Sequence, residues 1–313
     1  MESLEIRRKS LIWISGLTCN GNSHSFLSST SLSFNTFLNS VNILFHPALT
    51  YDREFKDIYE DILEGRLKFD FLVVEGAVSK EKGKVYFQGF DVYEILENLK
   101  NVAEYIIAVG NCASFGNFPA LYSEDVVGLN FRFDQKSGFF DVGFTTKSGM
   151  PVINVSGCPA HPEWIIKTIL SLSYGYNLKL DSLQRPKDFY MYLTHDGCTR
   201  NQYFEWKVEA EEFGTKEGCL FYYLGCRGPL THSTCNKILW NDKSSKTRAG
   251  MPCIGCTEFD FPLRSKYFET KLNIGIPEEV PLGVSKRAYI MLSGVAKTFT
   301  NHRLKGKLEE ADQ

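Results

Sequence analysis

Nine cysteines and one histidine stand where they could together bind metal. Cys19, Cys112 and Cys158 each follow a short apolar run typical of a β-strand. The other six cysteines share one later segment with His195, and they are Cys198, Cys219, Cys226, Cys235, Cys253 and Cys256. Thiolates gathered in this way bind iron–sulfur clusters, zinc or copper(I). A series of such sites indicates a path for electrons, and therefore an oxidoreductase partner.

The first half of the chain alternates strand and helix patterns. The predicted strands are 10–15, 41–45, 69–76, 105–110 and 151–157, and the predicted helices are 23–39, 51–64, 92–104 and 162–174. This alternation predicts a doubly wound parallel sheet of the α/β class. Cys19, Cys112 and Cys158 follow the carboxyl ends of three different strands, where such sheets place their ligands. These three thiolates could therefore converge on one site.

The second half lacks this alternation and has short helical stretches, loops and most of the cysteines. Metal ligation can hold such a segment together where its core is thin. We therefore predict two domains, a sheet domain over 1–177 and a smaller, irregular, mostly helical and loop domain over 178–313. The segment 122–150 in the first half has the composition of an insertion.

The bulk composition is that of an ordinary globular protein. The 313 residues are 43% hydrophobic and 23% charged, and the net charge of −2 argues against a nucleic-acid partner. Arg7 and Arg8 are similar to a twin-arginine export signal, but the apolar run after them is too short. No run is long enough to span a membrane, and the C-terminus is polar. We expect a cytoplasmic protein that could associate with membranes only through its partners.

The later segment offers two further ligand sets. His195, Cys198, Cys219 and Cys226 would make a site of four ligands, and Cys235, Cys253 and Cys256 a site of three. The Cys-x-x-Cys of Cys253 and Cys256 is also typical of zinc. Two zinc sites would normally use eight ligands, so seven candidates favour iron–sulfur clusters. A non-enzymatic, zinc-binding interaction module remains the alternative.

Five motifs give the chain a specific resemblance over nearly its whole length. They are Gly110-Asn111-Cys112-Ala113-Ser114-Phe115-Gly116, Val155-Ser156-Gly157-Cys158-Pro159, His195-Asp196-Gly197-Cys198-Thr199-Arg200, the run 218–229 around Cys219 and Cys226, and Met251-Pro252-Cys253-Ile254-Gly255-Cys256. The chain resembles the small, electron-transfer subunit of a [NiFe] hydrogenase of the cytoplasmic uptake type. The resemblance implies a flavodoxin-like first domain and a cluster-bearing second domain.

The resemblance also implies the cofactors and the partner. A proximal cluster would use Cys19, Cys112 and Cys158, a distal [4Fe–4S] cluster His195, Cys198, Cys219 and Cys226, and a medial [3Fe–4S] cluster Cys235, Cys253 and Cys256. Ser245, where a fourth medial cysteine would be sought, supports three irons there. Electrons from H2 oxidation at the Ni–Fe site of a large partner subunit would pass through these clusters to an external acceptor. No catalytic residue lies in this chain, and the acceptor stays open.

The chain departs from the family pattern at Asn22, which replaces the second cysteine of the usual first motif. The proximal site therefore has three cysteines. It could hold a [3Fe–4S] cluster, or a [4Fe–4S] cluster with Asn22, a nearby carboxylate or water as fourth ligand. We favour three irons because a neutral amide is a poor iron ligand beside thiolates.

Three charged residues near the cysteines allow two interpretations each. Glu75 ends a strand at the same sheet edge and is either a solvated carboxylate or a support of the proximal cluster or subunit interface. Arg200 and Arg227 could donate hydrogen bonds around the distal cluster, or they are ordinary surface charges. A second enzyme class, the cluster-bearing subunit of a respiratory quinone oxidoreductase, matches only the first half of the chain and carries one cluster.

Overall fold

The computed structural model of the protein describes residues 8–263 and 267–298. Its internal contacts divide the chain into two compact units, Met1–Asp188 and Phe189–Gln313. Arg7 of the export-like stretch and the polar C-terminal segment 303–310 lie outside the described residues. Within the described ranges, no helix is both long and apolar enough to span a membrane.

The first unit is built on a five-stranded parallel sheet. Its strands are β1 (Lys9–Ser15), β2 (Val41–Phe45), β3 (Phe71–Glu75), β4 (Tyr105–Val109) and β5 (Ile153–Val155). They lie in the order β2-β1-β3-β4-β5, and every pairing is parallel. This is the order of flavodoxin-like sheets, whose ligands bind where the strand order reverses, between β1 and β3. The predicted fold class is therefore confirmed.

Helices of the first unit follow the strands. They are α1 (Gly21–Leu27), α2 (Ser31–Ser40), α3 (Phe55–Leu63), α4 (Val92–Leu99), α5 (Gly110–Phe115), α6 (Asn117–Ala120) and α7 (Pro162–Ser173). The helix predicted over 23–39 is two helices, because the Thr30 hydroxyl accepts a hydrogen bond from the Ser33 backbone N–H and caps α2. A capping side chain can therefore start a new helix at a position where the apolar pattern by itself predicts one continuous helix.

Both faces of the sheet are covered. All five residues of β3 and six of the seven residues of β1 are buried, as expected for strands between two helical layers. On one face, Ile12 and Val74 pack in a cluster with Ile58 of α3 and Ile95 of α4. The segment 122–150 also contributes to this core through residues such as Phe140, so it is a packed part of the unit.

The second unit has little regular structure. Its helices are α8 (Lys187–Tyr190), which begins in the first unit, α9 (Asn201–Trp206) and α10 (Lys286–Thr298), with 3-10 turns at Thr194–Gly197, Gly228–Leu230 and Phe261–Leu263. Among the described residues, two small apolar clusters lie in this unit, and each includes a candidate ligand: Cys226 packs with Leu220, and Cys219 packs with Phe221. Because these clusters are small, we expect metal ligation to contribute much of the stability of this unit.

His46, directly after β2, makes the stability of the protein depend on pH. Its ring is fully buried 4.9 Å from the ring of Trp13, and its Nδ1 atom accepts a hydrogen bond from the Ala48 backbone N–H. Burial lowers the pKa of His46 from 6.5 to about 4. The unfolded chain therefore binds a proton that the folded chain excludes. The contribution of neutral His46 to the free energy of unfolding is therefore fully present above pH 6.5 and is lost as the pH falls towards about 4.

We expect the variant His46→Asn to flatten this pH dependence. Asparagine can still accept a hydrogen bond from Ala48 but cannot be protonated, so the variant should lose less stability than the wild type between about pH 7 and pH 5. The histidine contributes roughly 3 kcal/mol over its full titration. The measurement is the thermal unfolding midpoint of both proteins across this range. Parallel curves would show that His46 does not titrate in this way.

Candidate iron–sulfur cluster sites

The first candidate site lies at the carboxyl edge of the sheet. Cys19 follows β1, Cys112 lies in α5 directly after β4, and Cys158 follows β5. Burial raises the pKa of the Cys112 thiol to about 12, and the charges of Cys158 and Cys19 add to the rise. The Asn117 side-chain amide donates a hydrogen bond to Cys112 Sγ at 3.7 Å. The three thiols thus lie close enough to act on one another electrostatically.

Glycine at position 110 allows two of the loops at this site to approach each other. Its φ of +85° is in the left-handed region, and an added Cβ would lie 2.2 Å from Asn22 Nδ2. Any other residue would both strain the backbone and displace this amide. Gly21 similarly leaves room at Cys19, because an added Cβ would lie 3.2 Å from its Sγ.

Asn22 connects the three loops that carry the cysteines. Its side-chain Oδ1 accepts a hydrogen bond of 2.9 Å from the Ala160 backbone N–H, in the loop after Cys158. Its Nδ2 packs against Gly110 in the loop before Cys112. The residue is buried. The hydrogen bond from Ala160 and the contact with Gly110 make Asn22 a clamp between the loops. The atom that accepts this hydrogen bond is the oxygen, which is the only amide atom suited to bind iron.

Glu75 is a fully buried carboxylate beneath the Cys19 loop. Five hydrogen bonds reach it, from Trp13 Nε1 (3.3 Å), Thr18 Oγ1 (3.1 Å), the backbone N–H of Asn22 (2.9 Å), and the backbone N–H and hydroxyl of Ser23 (3.1 and 2.6 Å). The interpretation of Glu75 as a solvated carboxylate is therefore wrong. The side chain fixes the backbone between Cys19 and α1, and so positions the loop that carries the first thiol.

The second candidate site is a small pocket in the second unit. Its walls include all four residues of one predicted ligand set, namely His195, Cys198, Cys219 and Cys226. The 3-10 turn Thr194–Gly197 carries His195 and leads directly into Cys198. Cys219 is held by backbone hydrogen bonds to Val208 and Ala210. Four soft ligands around one pocket fit the ligand set of an iron–sulfur cluster with three cysteines and one histidine.

Burial sets the protonation state of these side chains in the protein alone. It lowers the pKa of His195, so the imidazole is neutral at neutral pH, which is the form that binds metal. It raises the pKa of Cys226 to about 12 and that of Cys219 well above its ordinary value. Both thiols would therefore release a proton when they bind metal.

The third candidate site lies beside the second, in the same unit. Burial raises the pKa of Cys235 to about 12 and that of Cys253 to about 11, and the charge of Cys256 adds to both. The three thiols are thus close enough to raise one another's pKa values. Ser245 is buried, and its hydroxyl donates to Asn236 Oδ1. It takes part in a hydrogen-bond network among polar side chains.

The second and third sites share a wall. The Cys253 backbone N–H donates to Cys226 Sγ at 3.3 Å, and the Cys253 carbonyl accepts from the Arg227 backbone N–H at 2.7 Å. A candidate ligand of one site thus donates directly to the sulfur of a candidate ligand of the other. Hydrogen bonds to cluster sulfurs are one of the means by which proteins set reduction potentials.

Among residues 8–263 and 267–298, no three His, Cys, Asp or Glu side chains form a group that could hold one metal ion. The thiolates of a cluster bind different irons and therefore stand farther apart than the ligands of one zinc. All nine cysteines are free of disulfides and distributed over the three candidate sites. The residues present fit clusters.

Sequence reasoning placed two nearby residues differently. Of the two interpretations of Arg200, that of an ordinary surface charge is wrong, because the residue is buried and lies in the wall of the second site. Its position two residues after Cys198 was the only signal for this. His161, near Cys158, caps α7, and its Nδ1 accepts a hydrogen bond from the Glu163 backbone N–H at 3.2 Å.

Two family models match different parts of the chain. The model of the NADH ubiquinone oxidoreductase 20 kD subunit matches residues 19–172, and that of the C-terminal region of the NiFe/NiFeSe hydrogenase small subunit matches residues 190–269. The first match covers only the sheet-bearing half, as the quinone oxidoreductase alternative would require. The second match covers the candidate ligands from His195 to Cys256, for which that alternative has no counterpart.

Several known proteins are similar over most of the chain. The F420 non-reducing hydrogenase II small subunit of Methanosarcina mazei is 31% identical over 304 residues, covering 85% of this chain and 76% of that protein. The periplasmic [NiFe] hydrogenase small subunit 1 of Nitratidesulfovibrio vulgaris is 29% identical over 280 residues, covering 84% and 83%. The structure of the actinobacterial-type NiFe-hydrogenase of Ralstonia eutropha H16 aligns with a TM-score of 0.75 at 25% identity, covering 97% of this chain and 89% of that chain.

Proposed function

The chain belongs to the family of [NiFe] hydrogenase small subunits, and we propose that it conducts electrons from hydrogen oxidation in a large partner subunit to an external acceptor. Oxidation of H2 releases two protons and two electrons. Iron–sulfur clusters, when bound, supply the one-electron carriers for this transfer. The chain's own part is to hold them with cysteines and one histidine and to exclude water from them.

The convergence of His195, Cys198, Cys219 and Cys226 on one cavity is the observation that carries this function. We assign these four residues to a distal [4Fe–4S] cluster. Cys235, Cys253 and Cys256 supply three thiolates to a medial [3Fe–4S] cluster, and Ser245 supplies no fourth. Cys19, Cys112 and Cys158 hold the proximal cluster. The first domain, predicted over 1–177, thus carries one cluster, and the second domain, 178–313, carries two.

We assign a [3Fe–4S] cluster to the proximal site, on two observations. The Asn22 oxygen is already engaged by the Ala160 N–H, so the amide is poorly placed to bind iron. Both oxygens of Glu75, a buried carboxylate beneath the Cys19 loop, already accept hydrogen bonds from that loop and from α1. Glu75 cannot supply a fourth ligand without giving up these bonds, and the neutral amide of Asn22 is a poor iron ligand beside thiolates. Fewer thiolates around a cluster favour a higher reduction potential, which suits hydrogen uptake.

The cellular setting forms part of the proposal. We place the enzyme in the cytoplasm, in keeping with its resemblance to small subunits of the cytoplasmic uptake type. A similar small subunit is named periplasmic, so the setting needs its own test. Fractionation of cells, with activity and this chain followed together, gives that test. Recovery in the periplasmic fraction would refute the cytoplasmic assignment and leave the electron-transfer function intact.

The variant Asn22→Cys tests the proximal assignment. It restores a fourth thiolate, so we expect one three-iron cluster to become a four-iron cluster. Electron paramagnetic resonance of the oxidised enzyme, purified with its large subunit, should then show about half the wild-type three-iron signal. The ratio follows from three-iron clusters at two sites in the wild type and at one in the variant.

Asn22→Ala is the matched control for this substitution. It removes the same clamp without adding a thiol. The proximal clusters that assemble in this variant should still give the three-iron signal. A wild-type enzyme with a single three-iron cluster per chain would contradict the assignment, because it would require a fourth ligand that is not a cysteine.

A further inference from the structure

Arg200 is a buried cation in the wall of the distal cavity. The residue is only 4% exposed, and it lines the same space as His195 and the three cysteines of that site. Its backbone N–H donates to Cys198 Sγ at 3.4 Å. Both its main chain and its side chain therefore adjoin the candidate cluster ligands.

The guanidinium is held entirely by uncharged acceptors. Its Nε donates to the Thr247 carbonyl at 2.8 Å, its Nη1 to the Glu217 and Gly218 carbonyls at 2.8 Å each, and its Nη2 to the Thr215 carbonyl. These bonds fix the orientation of the planar group and join three stretches of chain around the site. They do not neutralise its charge.

No carboxylate pairs with Arg200 among residues 8–263 and 267–298. Other arginines of the chain do have such partners: Arg185 pairs with Asp181 at 2.8 Å, and Arg227 pairs with Glu279 at 2.5 Å. A buried charge without a counter-charge is strongly unfavourable. The groups of opposite charge closest to Arg200 electrostatically are the thiolate forms of Cys198 and Cys219.

We propose that Arg200 is the counter-cation of the distal cluster and that its fixed charge raises the reduction potential of that cluster. The inference rests on the proposed function, because it requires a cluster in this cavity. Three thiolates make the ligated cluster anionic, and each electron taken up makes it more so. A cation held beside it in a region of low dielectric constant stabilises the reduced form more than the oxidised form. Arg200 would thus favour reduction of the distal cluster, from which electrons pass to the external acceptor.

Substitution of Arg200 should move the potential of one cluster. In Arg200→Gln the charge is removed, and we expect the distal midpoint potential to fall. The ratio of reduced to oxidised distal cluster at fixed potential should drop about tenfold, which corresponds to about 59 mV for a one-electron couple. Arg200→Lys keeps the charge and should retain most of the wild-type value. The measurement is a redox titration followed by electron paramagnetic resonance on the enzyme purified with its large subunit.

A double variant, Arg53→Gln with Asp61→Asn, is the control. It removes an arginine that pairs with a carboxylate at 2.7 Å away from the candidate ligands, so no net charge is lost and the distal potential should stay constant. Loss of the distal cluster in Arg200→Gln but not in Arg200→Lys would also support the counter-cation. Loss in both variants would overturn it, because the carbonyl hydrogen bonds would then be what the site requires.

Two failures remain distinguishable. A wild-type enzyme without a reducible four-iron signal would overturn the distal assignment, and with it the proposed function. A wild-type enzyme with that signal, and with an unchanged midpoint in Arg200→Gln, would overturn only the role of Arg200.

Discussion

Replacing Cys112 with alanine is expected to abolish the transfer of electrons from hydrogen to an artificial acceptor. Cys112 lies in α5 at the carboxyl edge of the sheet, and it acts electrostatically on both Cys19 and Cys158. Without it, two thiolates remain, too few for the proximal cluster. Hydrogen-dependent dye reduction should fall by more than the roughly 100-fold that loss of an outer partner of a metal site can cause. The iron content per chain should fall with it.

Ser114→Ala gives the control for Cys112→Ala in the same helix. Its hydroxyl is buried and forms no hydrogen bond among the described residues, so its removal should leave both activity and iron content close to the wild type. Hydrogen-dependent dye reduction at wild-type rates in Cys112→Ala would mean that the proximal site does not lie on the path of the electrons.

Glu75→Gln is expected to empty the proximal site without touching a ligand. Glutamine has nearly the same size, but its single oxygen cannot accept all five hydrogen bonds, and its amide would face donors such as the Asn22 backbone N–H. Each buried donor left unpaired destabilises the fold by about 1–3 kcal/mol. The Cys19 loop should therefore loosen. We expect a lower iron content, loss of the proximal three-iron signal and a lower unfolding temperature.

Asp181→Asn separates these effects from a general loss of stability. Asp181 accepts hydrogen bonds from the Leu183 and Arg185 backbone N–H groups and pairs with the Arg185 side chain, in a turn that carries no candidate ligand. Its variant should unfold at a lower temperature and keep its iron. If Glu75→Gln retained a full proximal signal, Glu75 would have no part in positioning the Cys19 loop.

The sequence predicted the sheet because strands buried on both faces need continuous apolar runs, and β1, β3 and β4 have them. The grouping of the cysteines into three cluster sites stays a prediction, made because thiolate ligands are recognisable by residue type and the motifs around them are specific. The split between α1 and α2 was missed because it depends on one hydroxyl group. The Thr30 side chain caps α2 and starts a new helix, although the apolar pattern continues through this position.

Polar residues around the sites could not be assigned from sequence. Glu75, Asn22 and Arg200 have the same side chains whether they face water or the interior. Their roles depend on donors and acceptors far away in the chain, such as Ala160 for Asn22 and Thr247 for Arg200. These contacts exist only after folding, and no spacing in the sequence encodes them.

Metal analysis combined with electron paramagnetic resonance, on the enzyme purified with its large subunit before and after exposure to H2, tests the electron path most directly. We predict iron and acid-labile sulfide without zinc, and an oxidised three-iron signal in excess of one cluster per chain that disappears under H2. Zinc in place of iron, or clusters that hydrogen leaves oxidised in an active enzyme, would contradict the assignment of this chain as the conductor of electrons from hydrogen.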